Sequence, residues 1–140
     1  MKVEFITSEH KFEQIGPDKW RIVEPFVARV ACDEWPDPVL VVVPGDYVTD
    51  FESVPKVLFV AYALIKGKAR RAATLHDYVI DLTQGEIDDR LRTSLIPFVP
   101  KREWIDRLFY AAMVAEGTPA MARELAYMGV SAYTAFTNKE

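Results

Sequence analysis

Around residue 53 the spacing of apolar residues changes from two to nearly four, and this switch limits the fold more than any other feature of the chain. Before it, Trp20, Ile22, Phe26, Ala28 and Val30 share one parity, broken only by Glu24, with Arg21 and Arg29 on the other. That is the pattern of a half-buried strand bent at Pro25. Val39-Leu40-Val41-Val42-Val43 is a β-branched run too short for an ordinary helix, and it stops at the turn chemistry of Pro44-Gly45-Asp46. It reads as a buried strand. Between the two lies a loop, Asp33-Glu34-Trp35-Pro36-Asp37-Pro38, because neither proline can donate to a ladder.

Beyond the switch, Ser53 is placed to cap a helix with Pro55 in its first turn and Val57, Leu58, Ala61 and Leu64 on one face, ending at Gly67. A second helix is expected over residues 69–80, where Ala72, Leu75 and Val79 form a stripe. Ile105, Leu108, Phe109, Ala112 and Met113 mark a third, stopped by Gly117. Thr118-Pro119 then reads as N-cap and first residue of a last helix, whose apolar positions are Met121, Leu125, Met128 and Tyr133. Asp81-Leu82-Thr83-Gln84-Gly85 has the residues of a turn, and 81–100 reads as a connection with one short helix near Ile87 to Leu91.

Strands first and helices afterwards predict an α+β fold: a small antiparallel β region in the N-terminal third, then about four α-helices. The expected organisation is a single domain over 1–140, β-rich over 1–48, with a motif loop at 49–55 and helices over 56–136. With 140 residues, half of them apolar and 27% charged, the chain can bury a core without staples. The lone Cys32 excludes an internal disulfide and any multi-cysteine zinc module. A formal charge of -4 argues against a surface built to embrace nucleic acid, and the first ten residues show no continuous apolar stretch of a secretory signal. The apolar run from Val57 to Ile65 is too short to cross a bilayer, which takes about 20 residues.

Imidazole chemistry rests on His10 or His76, the only histidines. His10 lies in a charged N-terminal turn. His76 sits in the mostly apolar helix Ala72-Ala73-Thr74-Leu75-His76-Asp77-Tyr78, where both ring nitrogens need partners; Asp77, about 100° away around the helix, cannot orient the ring itself. Composition alone favours a structural histidine. Asp50, in the polar loop Thr49-Asp50-Phe51-Glu52-Ser53, is a candidate metal ligand, an acceptor for His76, or a turn-closing carboxylate. Phe51 and Val54 turning inward around it would leave it partly buried. Ser53 has no nucleophile-elbow context, so capping is its better-supported role. Lys68, Arg70 and Arg71 gather positive charge at a helix start, against the dipole, and so form a candidate anion site; the plain alternative is a solvated basic turn. Arg102 and Asp106 stand one turn apart, where they can pair along the surface, or Asp106 can turn inward beside its apolar stripe.

Taken in order, Val43-Pro44-Gly45 with Thr49-Asp50-Phe51 and Ser53-Val54-Pro55, then Ala72-Ala73 with Leu75-His76-Asp77-Tyr78, then Arg102, Asp106, Phe109 and Ala112-Met113 resemble the phage and prophage family known as domain of unknown function 1353. The resemblance spans roughly residues 39–133 and implies a phage or prophage origin, with the host cytoplasm or assembled virion as location and other phage proteins as partners. The chain departs from the family pattern at Lys56, at Ile80 and in a long segment before Arg102. The family label names no reaction.

His-Asp-Tyr on one helix and an aspartate on the next also resemble the active-site helices of secreted calcium-dependent phospholipases, without their disulfides or glycine-rich calcium loop. By that resemblance His76 activates a water, Asp106 orients the imidazole, and Asp77 holds a divalent cation such as calcium. Two readings follow: a small hydrolase of an ester or amide, with Asp50 or Asp77 supporting a metal or the fold and Thr49, Ser53, Tyr78 and Arg102 in support, or a noncatalytic virion or tail-assembly component with a buried Asp50-His76-Asp106 network. An inhibitor of a host enzyme is a third, weaker option.

Overall fold

The computed structural model describes residues 1–6, 11–17, 19–49, 69–88, 91–92, 94 and 96–137, the last two without their side chains. The expected helix after Ser53, and with it Asp50, Ser53 and Lys68, lies outside the described residues.

Among the described residues six strands come first: β1 (Lys2–Phe5), β2 (Phe12–Gly16), β3 (Lys19–Ile22), β4 (Phe26–Ala31), β5 (Val39–Val43) and β6 (Val48–Thr49). They form two antiparallel sheets, ordered β1-β4-β5 and β2-β3-β6. Three helices follow among the described residues: α1 (Arg70–Gln84), α2 (Arg102–Glu116) and α3 (Ala120–Thr137). The fold is therefore α+β.

The alternation that predicted one bent strand over 20–30 belongs to two strands in two sheets. Pro25 has no N–H for a ladder, and the chain crosses there from β3 to β4. Glu24, the residue that breaks the parity, marks the crossing. In the larger sheet Phe26 faces Val43, Ala28 faces Val41 and Val30 faces Val39, and all six are buried while Arg29 and Leu40 point outward. The outer edge of β5 is covered at one point: Val42 N–H donates to Ser94 Oγ at 2.7 Å, and that hydroxyl donates back to the Val42 carbonyl at 2.9 Å.

Two glycines end helices in the same way. Gly85 (φ 72°) and Gly117 (φ 78°) take the left-handed conformation that a β-carbon disfavours. Glu86 N–H then reaches the Asp81 carbonyl at 3.0 Å, and Thr118 N–H the Met113 carbonyl at 2.9 Å. Helix α1 thus runs to Gln84, past the expected end at Ile80: in the polar stretch 81–85 only Gly85 turns the chain. Helix α3 starts at Ala120, with the Pro119 carbonyl accepting from Arg123 N–H. Between α1 and α2, Leu91 N–H bonds the Asp88 carbonyl at 2.8 Å.

Helix α1 is central, with every residue from Ala72 to Ile80 buried. It packs along α2 and touches β5 and β6, while α2 packs on β1 and α3. The apolar positions expected inside α3 are outside: Met121, Leu125, Met128 and Tyr133 are exposed, and Ala122, Ala126, Val130 and Thr134 are buried. Small side chains let the α3 backbone approach α2 closely, so the inward stripe follows size rather than hydrophobicity.

Candidate functional site

The antiparallel course of α1 and α2 brings His76 against Asp106. His76 Nε2 lies 2.8 Å from Asp106 Oδ1, with the two residues 1% and 2% exposed. An ionised carboxylate only accepts, so Nε2 carries the proton and donates it to Asp106. Asp106 Oδ2 accepts from the Thr134 hydroxyl at 2.5 Å, which ties α3 to the same carboxylate. The Phe109 ring, one turn beyond Asp106, lies 5.1 Å from the imidazole. Of the two positions open to Asp106, the inward one is occupied, and Arg102 does not pair with it. The Arg102 Nε is buried without a hydrogen-bond partner among the described residues.

Asp77 faces elsewhere, as the helical angle requires. Its Oδ2 accepts from Thr49 Oγ1 at 2.6 Å and from the Tyr47 hydroxyl at 3.1 Å, tying β6 and the turn before it to α1. That turn has Asp46 in the left-handed region (φ 71°), paired with Arg21 at 2.6 Å, and it leaves Tyr47 buried. The same phenol oxygen lies 2.7 Å from Asp81 Oδ2, the shorter of the two contacts, so its single proton is shared between the two carboxylates. Burial, with these two carboxylates beside it, holds the Tyr47 hydroxyl far above its ordinary ionisation range. Tyr78, fully buried, sets its ring edge-on to Tyr47 and donates to the Leu91 carbonyl at 2.9 Å.

The basic residues at the start of α1 separate. Arg70 lies over the Trp20 ring at 4.6 Å and Arg71 over Phe5 at 4.2 Å. The carboxylate of Glu116 reaches this helix start from the end of α2: Oε1 accepts from Ala72 N–H at 2.5 Å, and Oε2 lies 3.5 Å from Arg71 Nε. The N-terminus of α1 thus has an anion from the chain itself. Burial pushes the Glu116 carboxyl above its usual range, against the opposing pull of the Ala72 N–H and Arg71. Among the described residues no three His, Cys, Asp or Glu side chains converge as a metal-ligand set, and no helix is long and apolar enough to cross a membrane.

The order of motifs and the geometry they build have a counterpart among known sequences. The family model described as Protein of unknown function (DUF1353) matches residues 20–130. The chain belongs to this family. The match begins at β3, earlier than the motifs alone indicate, and includes Tyr47, Asp77, His76 and Asp106. Thr134 lies beyond it. No curated protein and no solved structure matches the chain at a significant level.

Sequence reasoning missed Thr134, Tyr47, Asp81 and Glu116. Thr134 had a signal, since it continues the four-residue spacing of Ala122, Ala126 and Val130; Glu116 and Tyr47 act across the fold and had none.

Proposed function

We propose that this DUF1353 chain is a small hydrolase in which His76 is the general base and Asp106 fixes its tautomer, acting on an ester or amide in a bacteriophage or prophage setting. The observation that carries this reading is the buried Nε2 to Oδ1 contact of 2.8 Å, with the far carboxylate oxygen held by Thr134. On this reading the imidazole, held against Asp106 through Nε2, takes a proton from water; the water oxygen then attacks the acyl carbon, and the imidazolium returns the proton to the leaving group. Asp106 stabilises the imidazolium meanwhile. A fold seldom keeps two carboxylates and an imidazole in its interior for stability, because apolar replacements of a buried pair are often neutral or better.

A second reading is favoured by one number: His76 is only 1% exposed. On this reading His76, Asp106 and Thr134 lock three helices together in a noncatalytic virion or tail-assembly component. One experiment separates the two. Wild type, His76→Asn and Asp106→Asn are assayed on p-nitrophenyl esters of short and long acyl chains, phospholipid vesicles and purified peptidoglycan. The hydrolase reading expects turnover in wild type that falls about 100-fold or more in His76→Asn, the size of a lost general base. No turnover on any substrate, with a loss of several kcal/mol in the His76 variant, establishes the lock. Lysis genes beside this one favour envelope hydrolysis, and tail genes favour assembly.

A further inference from the structure

We infer that Thr134 is a positioning residue for the His76 imidazole, acting through Asp106, and that the site is therefore completed by α3. This rests on the general-base reading for its catalytic consequence and on geometry alone for its physical one. A buried aspartate whose Oδ1 accepts from an imidazole can still rotate about its terminal torsion unless Oδ2 is also held. The 2.5 Å bond from Thr134 Oγ1 supplies that second point of attachment. Thr134 is 4% exposed and sits on α3, whereas His76 and Asp106 are on α1 and α2. One carboxylate thus joins three helices, and its orientation, which sets the direction of the Nε2 proton, is decided from the third.

Thr134 also draws on the charge that Asp106 presents to the ring. A hydroxyl donating to one carboxylate oxygen reduces the electron density on the other, so the pull of Asp106 on the Nε2 proton is moderated. Among the described residues the other ionisable groups of this interior include Asp77, Asp81 and Tyr78 on α1, Tyr47 before β6, Arg102 on α2, and the Arg71–Glu116 pair at the start of α1. A change at Thr134 leaves all of them in place.

The test compares Thr134→Val, which keeps the shape and removes the hydroxyl, with Thr134→Ser, which keeps the hydroxyl. The primary readout is the ring N–H proton of His76 in 15N-labelled protein, with His10 as the second imidazole. Thr134→Val is expected to move that resonance and speed its exchange with water by at least tenfold, and Thr134→Ser to restore both. Where hydrolysis is measurable, kcat falls in the Val variant with KM unchanged and recovers in the Ser variant. An unchanged ring signal in a folded Val variant overturns the inference. If the Val variant does not fold, a folded Ser variant whose ring signal differs from wild type overturns it equally, and one that matches supports it. An altered ring signal in a protein with no hydrolytic activity would defeat the general-base reading and leave the positioning role standing.

Discussion

Replacing Asp106 by valine, an apolar residue not far from it in size, measures what the central carboxylate holds. The change takes one buried hydrogen bond from each of two donors: His76 Nε2–H loses its 2.8 Å contact with the carboxylate, and the Thr134 hydroxyl loses its 2.5 Å contact. Each buried bond lost in this way costs about 1–3 kcal/mol, and breaking a buried pair by removing one member costs about 3–5 kcal/mol. Against a total stability of about 5–15 kcal/mol this is a large fraction. Urea unfolding followed by tryptophan fluorescence reads it directly, since Trp104 is buried in α2 close to Asp106. With a slope of about 2 kcal/mol per molar urea, the midpoint should fall by about 2 M. Adding His76→Leu removes one of the two donors that lost the carboxylate, and the Thr134 hydroxyl can turn to the carbonyl one helical turn back, as threonines in helices do. The double variant should therefore recover about 1–3 kcal/mol relative to the sum of the single changes. Strict additivity, or an Asp106→Val midpoint within error of wild type, would refute the claim that these side chains form one unit.

Tyr47→Phe should cost about 1–3 kcal/mol by leaving Asp81 and Asp77 without the phenol, measured by the same unfolding curves. Because the Tyr47 hydroxyl ionises in the unfolded chain near 10.0 and far higher in the folded one, its contribution is intact below pH 10 and declines above it; the Phe variant should lose stability less steeply there. Glu116 is raised as well, so its contribution is greatest below 4.5 and is lost as pH rises; the stability of wild type minus that of Glu116→Gln should fall as the pH climbs above 4.5, and a rise contradicts the assignment. Ser94→Ala removes the two hydrogen bonds that Ser94 makes to Val42 on the β5 edge, and amide exchange at Val42 should accelerate while the helices are unaffected.

The parts of the fold legible in the sequence were those set by local chemistry. The β-branched run of β5, the α2 face of Ile105, Leu108, Phe109, Ala112 and Met113, and the stop at Gly117 are each decided within a few residues. What misled was pattern continued across a boundary. Parity ran unbroken through Pro25 except at Glu24, although the strands on either side join different sheets, and α3 was oriented by its largest apolar residues although close approach to α2 admits only its smallest. In the site, His76 and Asp106 were legible because a polar residue beside an apolar stripe has few destinations. Glu116 and Tyr47 act on α1 from the far end of α2 and from the turn before β6, a pairing that depends on how the elements stack.

The small-residue face of α3 has an energetic side. Ala122, Ala126 and Val130 remove less apolar area from water than larger side chains would in their places, and the bulkier contacts of this helix with α2 are those of Tyr127 and Arg123 with Tyr110, the tyrosine rings 5.2 Å apart. Segments held by few apolar contacts open at a free energy below that of global unfolding. Amide exchange should therefore release α3 before α1 and α2. Each such local opening withdraws Thr134 from Asp106, so a loosening of α3 is also an uncovering of a carboxylate two helices share.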